Sequence, residues 1–444
     1  MDRPYIQDRS LDDPEAQWPV EAGRYRLIAA RACSWANRSV IVRRLLGLED
    51  AISLALPGPT HDENSWTLDL DPGGVDPVLG IPRPKDAFEE RHPGYPRGIT
   101  VPTIVDVPSG EVVTNNFPQI TEDFFFQWKS HHREGAPNLW PDEVRDEMEE
   151  VMERVFRGRN SGVYRVGFAT EQGRFEAAYA QLFETMNWLE ERLSTRRYLM
   201  GEHITEADVR LFTTLARFDA VYHGHLKCNR NKLTEMPVLW AYARDLFSTP
   251  GFGDTINFTQ IKEHYYVVHT DINPTQIVPV GPSLENWAEP HGREECGGSP
   301  FGDGTAPGAP SAAERITPAD NPLQDDEGLV RRRSRKDAPP SESVGAHSYP
   351  YGRKNTRAAA RFPHHPRRRR RPEGHPRDAA QGGRRSARRG ERNARRRLPG
   401  GGAARRLGAR HRSAAGTRRA PDSRGRRTAR VVRRPRWAAA CPRG

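Results

Sequence analysis

Apolar and polar positions change their spacing near residue 140. Before that point the apolar residues come in short runs bounded by turn formers. Residues 25–30 (YRLIAA) read as a buried strand. Residues 36–46 place apolar side chains at helical spacing until Gly47, a helix-stopping residue. A second short strand is predicted over 51–56 (AISLAL). Strands over 103–107 (TIVDV) and 111–114 (EVVT) flank Pro108-Ser109-Gly110, so they read as a hairpin, and a helix follows over 118–127. From Pro141 onward the period is 3.6, with helices predicted over 142–156, 172–193, 206–218 and 238–247. Thr205 is placed to cap the third of these, with Asp208 returning the bond as a short capping-box partner.

The order βαβ, a long connection, then ββα is the thioredoxin arrangement, and the helices after it make a separate all-helical unit. The predicted architecture has an extended polar leader over 1–19 and a thioredoxin-like α/β domain over 20–133. An all-α domain over 134–298 and a tail over 299–444 complete it. The tail is rich in Gly, Pro, Ala and Arg and poor in aliphatic residues, so it is expected to be disordered.

Charge sharpens that division. The net charge of +11 suggests a nucleic-acid binder, but residues 331–444 hold 37 Lys and Arg against 6 Asp and Glu, a net of +31. The first 330 residues hold 32 against 52, a net of −20. An acidic body repels a phosphate backbone, so nucleic-acid binding is expected at most non-specifically, through runs such as 367–371 in the tail. The tail also has the composition of an out-of-frame reading of GC-rich DNA. The leader lacks an apolar signal region, and no run reaches the roughly eighteen apolar residues of a membrane span, so a cytoplasmic protein without a membrane partner is expected.

Four cysteines, Cys33, Cys228, Cys296 and Cys441, show neither disulfide-framework nor zinc spacing, and the histidines lack the carboxylate companions of a metal site. Cys33 stands apart. It lies between the first strand and the first helix in RACSWANR, where unpaired backbone N–H groups and the helix dipole favour a thiolate. Three residues on, where a dithiol oxidoreductase has its second cysteine, is Ala36. An external thiol must therefore resolve any mixed disulfide. Position alone leaves a buried structural cysteine open as the other reading.

The segments CSWANR, SWTLD, VPTIVD, NSGVYRVGFA, TEADVRLF, RFDAVYHGHLKCN, IKEHYY, INPTQIVPVGP and PHGREECGG, spread over residues 20–298, resemble the glutathionyl-hydroquinone reductases, the Xi-class branch of the glutathione S-transferases. The resemblance implies that Cys33 attacks the sulfur of a small-molecule quinol-thiol conjugate, releases the quinol, and is freed by a second thiol. It implies glutathione or another low-molecular-weight thiol as co-substrate, no metal, no nucleotide, and a homodimer. By position it implies that Trp66 lines the thiol site. Val101 and a cis Pro102 would pair with the cysteinyl part of the ligand, Arg97 would meet a carboxylate, and Asn116 and Phe117 would lie at the far end of the thiol. Tyr164 and Tyr265 would meet the quinol oxygens, with Tyr266 the register alternative to Tyr265. Cys228 and Cys296 are left structural.

Two departures from the family pattern bear on chemistry. Ser34 replaces the proline that usually follows the cysteine, and Asn116-Phe117 replaces a Glu-Ser pair that grips the γ-glutamyl end of glutathione. Neither new residue supplies the lost charge and hydroxyl together, so a sugar-based thiol such as mycothiol is an alternative co-substrate. A conventional transferase using Ser34 and a non-catalytic transferase-like interaction module remain as further readings. An interaction module has no need of Cys33, Trp66 and the tyrosines together.

Overall fold

The computed structural model describes residues 5–330 except 319, 322, 326 and 327; the tail beyond 330, and with it the expectation of disorder there, lies outside the described residues. Strand β1 (Tyr25–Ile28) is buried throughout because it lies inside the sheet, parallel to β2 (Ile52–Ala55), with Tyr25 opposite Ile52. On its other side it runs antiparallel to β5 (Thr103–Asp106), which pairs in turn with β6 (Val112–Thr114). The strand order is β2-β1-β5-β6. Helix α1 (Ser34–Leu46) crosses between β1 and β2 and ends at Gly47. That residue has φ 72°, donates to Arg43 and Arg44 carbonyls, and would put a Cβ 2.5 Å from that of Arg133, so only glycine fits.

The long connection between β2 and β5 holds structure the residue pattern did not reveal. It contains a two-residue hairpin, β3 (His61–Asp62) with β4 (Ser65–Trp66), and helix α2 (Pro84–Arg91). Asp76 ties it to the sheet through a buried ion pair with Arg26 at 2.5 Å, and its carboxylate also accepts the N–H groups of Val78 and Leu79. The leader is likewise docked. Ile6 exchanges hydrogen bonds with Asn115, Gln7 bridges Thr114, and Ser10 accepts from the indole of buried Trp128, so the leader covers the open edge of β6.

Helix α3 (Phe117–Phe126) closes this half of the molecule. The helical half comprises α4 (Arg145–Val155), α5 (Gly162–Gly167), α6 (Gln172–Leu193), α7 (Glu206–Leu215), α8 (Pro237–Phe247) and α9 (Phe258–Val268), of which α5 and α9 were unforeseen. Two predicted helices end early in π turns, 156–160 after α4 and 218–222 after α7. Asp208 forms the expected capping box and also accepts from Leu199 N at 2.8 Å and the Tyr242 hydroxyl at 2.7 Å.

The boundary expected at residue 299 moves. Residues 299–330 pack on the body, with Ile316 and Leu323 1% and 5% exposed, and Asn321 and Gln324 fully buried. The reason is polar. Arg43 and Arg44 of α1 are buried, and this segment supplies acceptors: Glu314 takes two bonds from Arg43 at 2.9 Å, and Gly308 O takes one from Arg44 at 2.7 Å. Among the described cysteines, Cys33 and Cys228 are free thiols and Cys296 is disulfide-bonded, against the expectation of unpaired cysteines.

A chain ending at residue 298 is expected to lose at least about 3 kcal/mol of stability. Exposing one large aliphatic side chain costs roughly 1.5–3 kcal/mol, and the buried arginines lose partners besides. Urea titration of chains ending at 298 and at 330 measures this, and equal midpoints would show that the segment contributes nothing.

Candidate active site

Cys33 is the N-cap residue of α1, with extended backbone (φ −78°, ψ 120°) and its N–H bonded to Ala30 O at 3.0 Å. Its side chain is half-buried, and two influences compete on the thiol. The backbone N–H groups of Trp35 and Ala36 point at the sulfur and, with the charges of Arg217 and Arg38, favour the thiolate. Burial opposes them and is the larger effect, so the thiol titrates above its ordinary value. The sulfur also lies 3.6 Å from Val101 O, a carbonyl that accepts from the protonated thiol. The expectation that the helix start alone would favour the thiolate is therefore corrected for the ligand-free site. The Val101-Pro102 bond is cis, as expected.

Arg217 fixes this loop from the helical half. Its guanidinium donates to Ala32 O at 3.0 Å, Arg31 O at 2.8 Å and Asn37 Oδ1 at 3.3 Å. Ser34 makes the second bridge: its hydroxyl lies 3.2 Å from that of Tyr164, which sits on α5. Tyr164 belongs to a triangle of hydroxyls, 2.6 Å from Tyr265 and 3.3 Å from Tyr222, with Tyr222 and Tyr265 3.1 Å apart. Burial raises the Tyr164 and Tyr265 phenols well above their ordinary value, so both stay protonated and able to donate. Tyr266 packs instead against His225, at 4.7 Å between ring centres, so Tyr265 is the one of the pair whose hydroxyl joins the triangle.

Tyr222 was not foreseen. It stands in the RFDAVYHGHLKCN segment, but helical spacing hides it, because it enters the cluster from the π turn rather than from a regular helix. Buried Arg159 backs that turn, its guanidinium 4.5 Å over Phe218 and 5.9 Å over Tyr222.

The remaining expected residues fall in two places. Phe117 lies 4.7 Å from the Trp35 ring, with Phe156 completing an aromatic wall on one side of Trp35 while Tyr164 stacks 6.0 Å away. Asn116 caps the start of α3 and donates to Gln119 Oε1 at 3.3 Å. Trp66 is buried in a histidine cluster, 4.1 Å from His61 and stacked at 4.7 Å on His264, the residue before Tyr265. Arg97 is exposed, on the stretch leading to Val101. No group of three or more potential metal ligands occurs among the described residues. No described helix is long and apolar enough to cross a membrane.

This geometry, a single thiol at a helix start opposite a cis-proline segment with an all-helical half behind it, is matched by comparison with known proteins. Residues 32–122 match the N-terminal domain of the glutathione S-transferases, and 172–245 match their C-terminal domain. The glutathionyl-hydroquinone reductase PcpF of Sphingobium chlorophenolicum is 40% identical over 272 residues, covering 61% of this chain and 86% of the relative. The chain belongs to this family of enzymes. A glutathione transferase from Gordonia bronchialis is 66% identical with a TM-score of 0.71, the match covering 71% of this chain and 99% of that one. The glutathione-bound structure of YqjG, a glutathione transferase homologue from Escherichia coli K-12, is 34% identical with a TM-score of 0.61, over 65% of this chain and 96% of that one. Within this glutathione S-transferase family, Ser34 is the feature that couples the thiol loop to the tyrosines by a side-chain hydroxyl, which a proline there could not do.

Because burial dominates at Cys33, its alkylation by iodoacetamide is expected to rise with pH to a midpoint above the roughly 8.5 of an ordinary thiol. The sign follows from the thiolate being the nucleophile: a raised value leaves less of it at neutral pH. A midpoint below 8.5, read as rate against pH by mass spectrometry, would reverse the assigned balance.

Proposed function

We propose that the protein is a thiol-dependent reductase that removes glutathione or a related thiol from a conjugated hydroquinone through Cys33. The Cys33 thiolate attacks the conjugate sulfur; an S–S bond forms and the carbon–sulfur bond breaks. The electron pair passes to the quinol ring, which takes up a proton and leaves as the free hydroquinone. A second thiol molecule then attacks the mixed disulfide, so the conjugate is reduced and two thiols leave as a disulfide. What most supports this is the Tyr164–Tyr222–Tyr265 triangle, joined to the residue after Cys33 by the Ser34 hydroxyl. Protonated phenols placed there donate to a quinol oxygen as charge develops on it. Kinship with the glutathionyl-hydroquinone reductases adds to it, and the working form is taken as a cytoplasmic homodimer.

A second reading concerns the thiol. Phe117 is part of the wall beside Trp35, and the Asn116 amide is engaged with Gln119, so neither of these two residues offers a carboxylate to a γ-glutamyl ammonium group. Losing one charge-assisted hydrogen bond costs roughly 1.5–3 kcal/mol. A mycothiol conjugate, which has no γ-glutamyl end, avoids that loss.

Cys33→Ala and Cys33→Ser are both expected to abolish quinol release from a thiol conjugate, because a serine hydroxyl is scarcely ionised at neutral pH and attacks sulfur poorly. Tyr164→Phe and Tyr265→Phe are expected to lower kcat about ten- to a hundredfold with a smaller effect on KM. Stopped-flow release of the hydroquinone reports both, and turnover in either cysteine variant sinks the mechanism. Intact mass after exposure to glutathione disulfide and to mycothiol disulfide shows which thiol is captured.

A further inference from the structure

Between α3 and α4, beside Phe117, lies a cavity of about 330 Å³. It has room for at least about ten non-hydrogen atoms at a water's share of roughly 30 Å³ each. Its nearest wall is Phe117, 4.7 Å from the ring of Trp35, two residues beyond Cys33. Arg38 lines the cavity as well, its guanidinium 4.6 Å over Trp35 and 5.4 Å over Phe117, and it is close enough to the Cys33 sulfur for each to shift the other's titration. The cavity is thus one aromatic ring away from the reactive thiol.

Its walls combine three kinds of surface. Phe117, Phe156 and Met152 are apolar. Arg38, 1% exposed, and Trp140, 6% exposed, line it from below, and the Nε of the one and the Nε1 of the other have no acceptor within the protein. Glu149, exposed on α4, and Glu122 on α3 supply carboxylates at the rim. Ring faces of aromatic residues with carboxylates and donors around them suit a saturated ring that carries many hydroxyls: its C–H face lies on the aromatics, and each hydroxyl both donates and accepts.

We infer that this cavity holds the distal, polyhydroxylated part of the thiol co-substrate, a sugar or cyclitol ring tethered to the cysteinyl sulfur that Cys33 attacks. The inference rests on the reading of the protein as a thiol-conjugate reductase. It gives Glu149, Met152 and Arg38 a specificity role that the reaction at sulfur does not require.

The test compares one hydroquinone conjugated to mycothiol and to glutathione, in the wild type, in Glu149→Gln, which alters only an exposed rim group, and in Met152→Phe, which shrinks the cavity. Both variants are expected to raise the KM of the mycothiol conjugate about tenfold relative to that of the glutathione conjugate, the loss of one polar contact or of one ring's fit. A ratio of KM values that stays at its wild-type value in both variants overturns the inference. The non-reacting S-methyl ether of mycothiol, titrated against tryptophan fluorescence with S-methylglutathione as control, separates the two ideas. If neither conjugate turns over but the mycothiol ether binds and both variants weaken it, the reductase reading fails and the cavity assignment stands. If conjugates turn over but the ether binds no better than S-methylglutathione, the cavity assignment fails alone.

Discussion

The reach of Arg217 from the helical half into the loop before α1 is the contact on which the site depends. Its side chain is fully buried and donates to Thr213 O on its own side and to Arg31 O, Ala32 O and Asn37 Oδ1 on the other. Those carbonyls precede Cys33, where the chain has left β1 and not yet entered α1, so they have no partners in regular secondary structure. A guanidinium with five donors in a fixed fork satisfies several of them at once and holds the loop in one conformation. It also places a positive charge near the sulfur, against the burial that such rigid packing brings with it. Removing it would strand several buried acceptors, so its loss is a matter of folding before it is one of chemistry.

The same logic extends along α1. Arg38, Arg43 and Arg44 are all nearly fully buried on a helix that is covered on most of its circumference. Each finds acceptors far away in sequence: Arg210 O for Arg38, Glu314 for Arg43, and Asp254 with Gly308 O for Arg44. A helix of this kind cannot be packed by hydrophobic burial alone, because isolated buried charges are too costly. It recruits its surroundings, which explains why a composition-poor segment such as 299–330 is drawn onto the body at all.

That is also where the residue pattern stopped being informative. Strands β1, β2, β5 and β6 were legible as short apolar runs between turn formers, helices α1, α3, α6 and α8 by the helical spacing of their apolar residues, and the α7 start because Thr205 and Asp208 form a local chemical pair. Helix α2 and the β3–β4 hairpin lie in a stretch held by distant ion pairs, Arg26 with Asp76 and Arg91 with Asp8 and Glu111, which no local pattern encodes. The docking of 299–330 depends on acceptors for buried arginines, visible only once α1 is seen to bury them. Cys33 was reached from its place between the first strand and the first helix, Tyr164, Tyr265 and Phe117 through resemblance, and the structure adds the connections between them. Tyr222 escaped because a π turn rotates it out of the helical register.

Seen from the sulfur, the two departures from the family pattern work in different directions. Ser34 in place of proline links the thiol loop to the tyrosine triangle, so the leaving side of the reaction is tied to the attacking side through one hydroxyl. Phe117 in place of serine turns the opposite side of Trp35 into an aromatic wall and closes off a polar contact there. The step proposed at sulfur involves the first set of groups and does not touch the second. On the proposed reading, a substitution that leaves the reacting atoms alone while rebuilding the wall nearest to them changes what the sulfur is attached to, and specificity is then written into α3 and α4 rather than into the loop that carries Cys33.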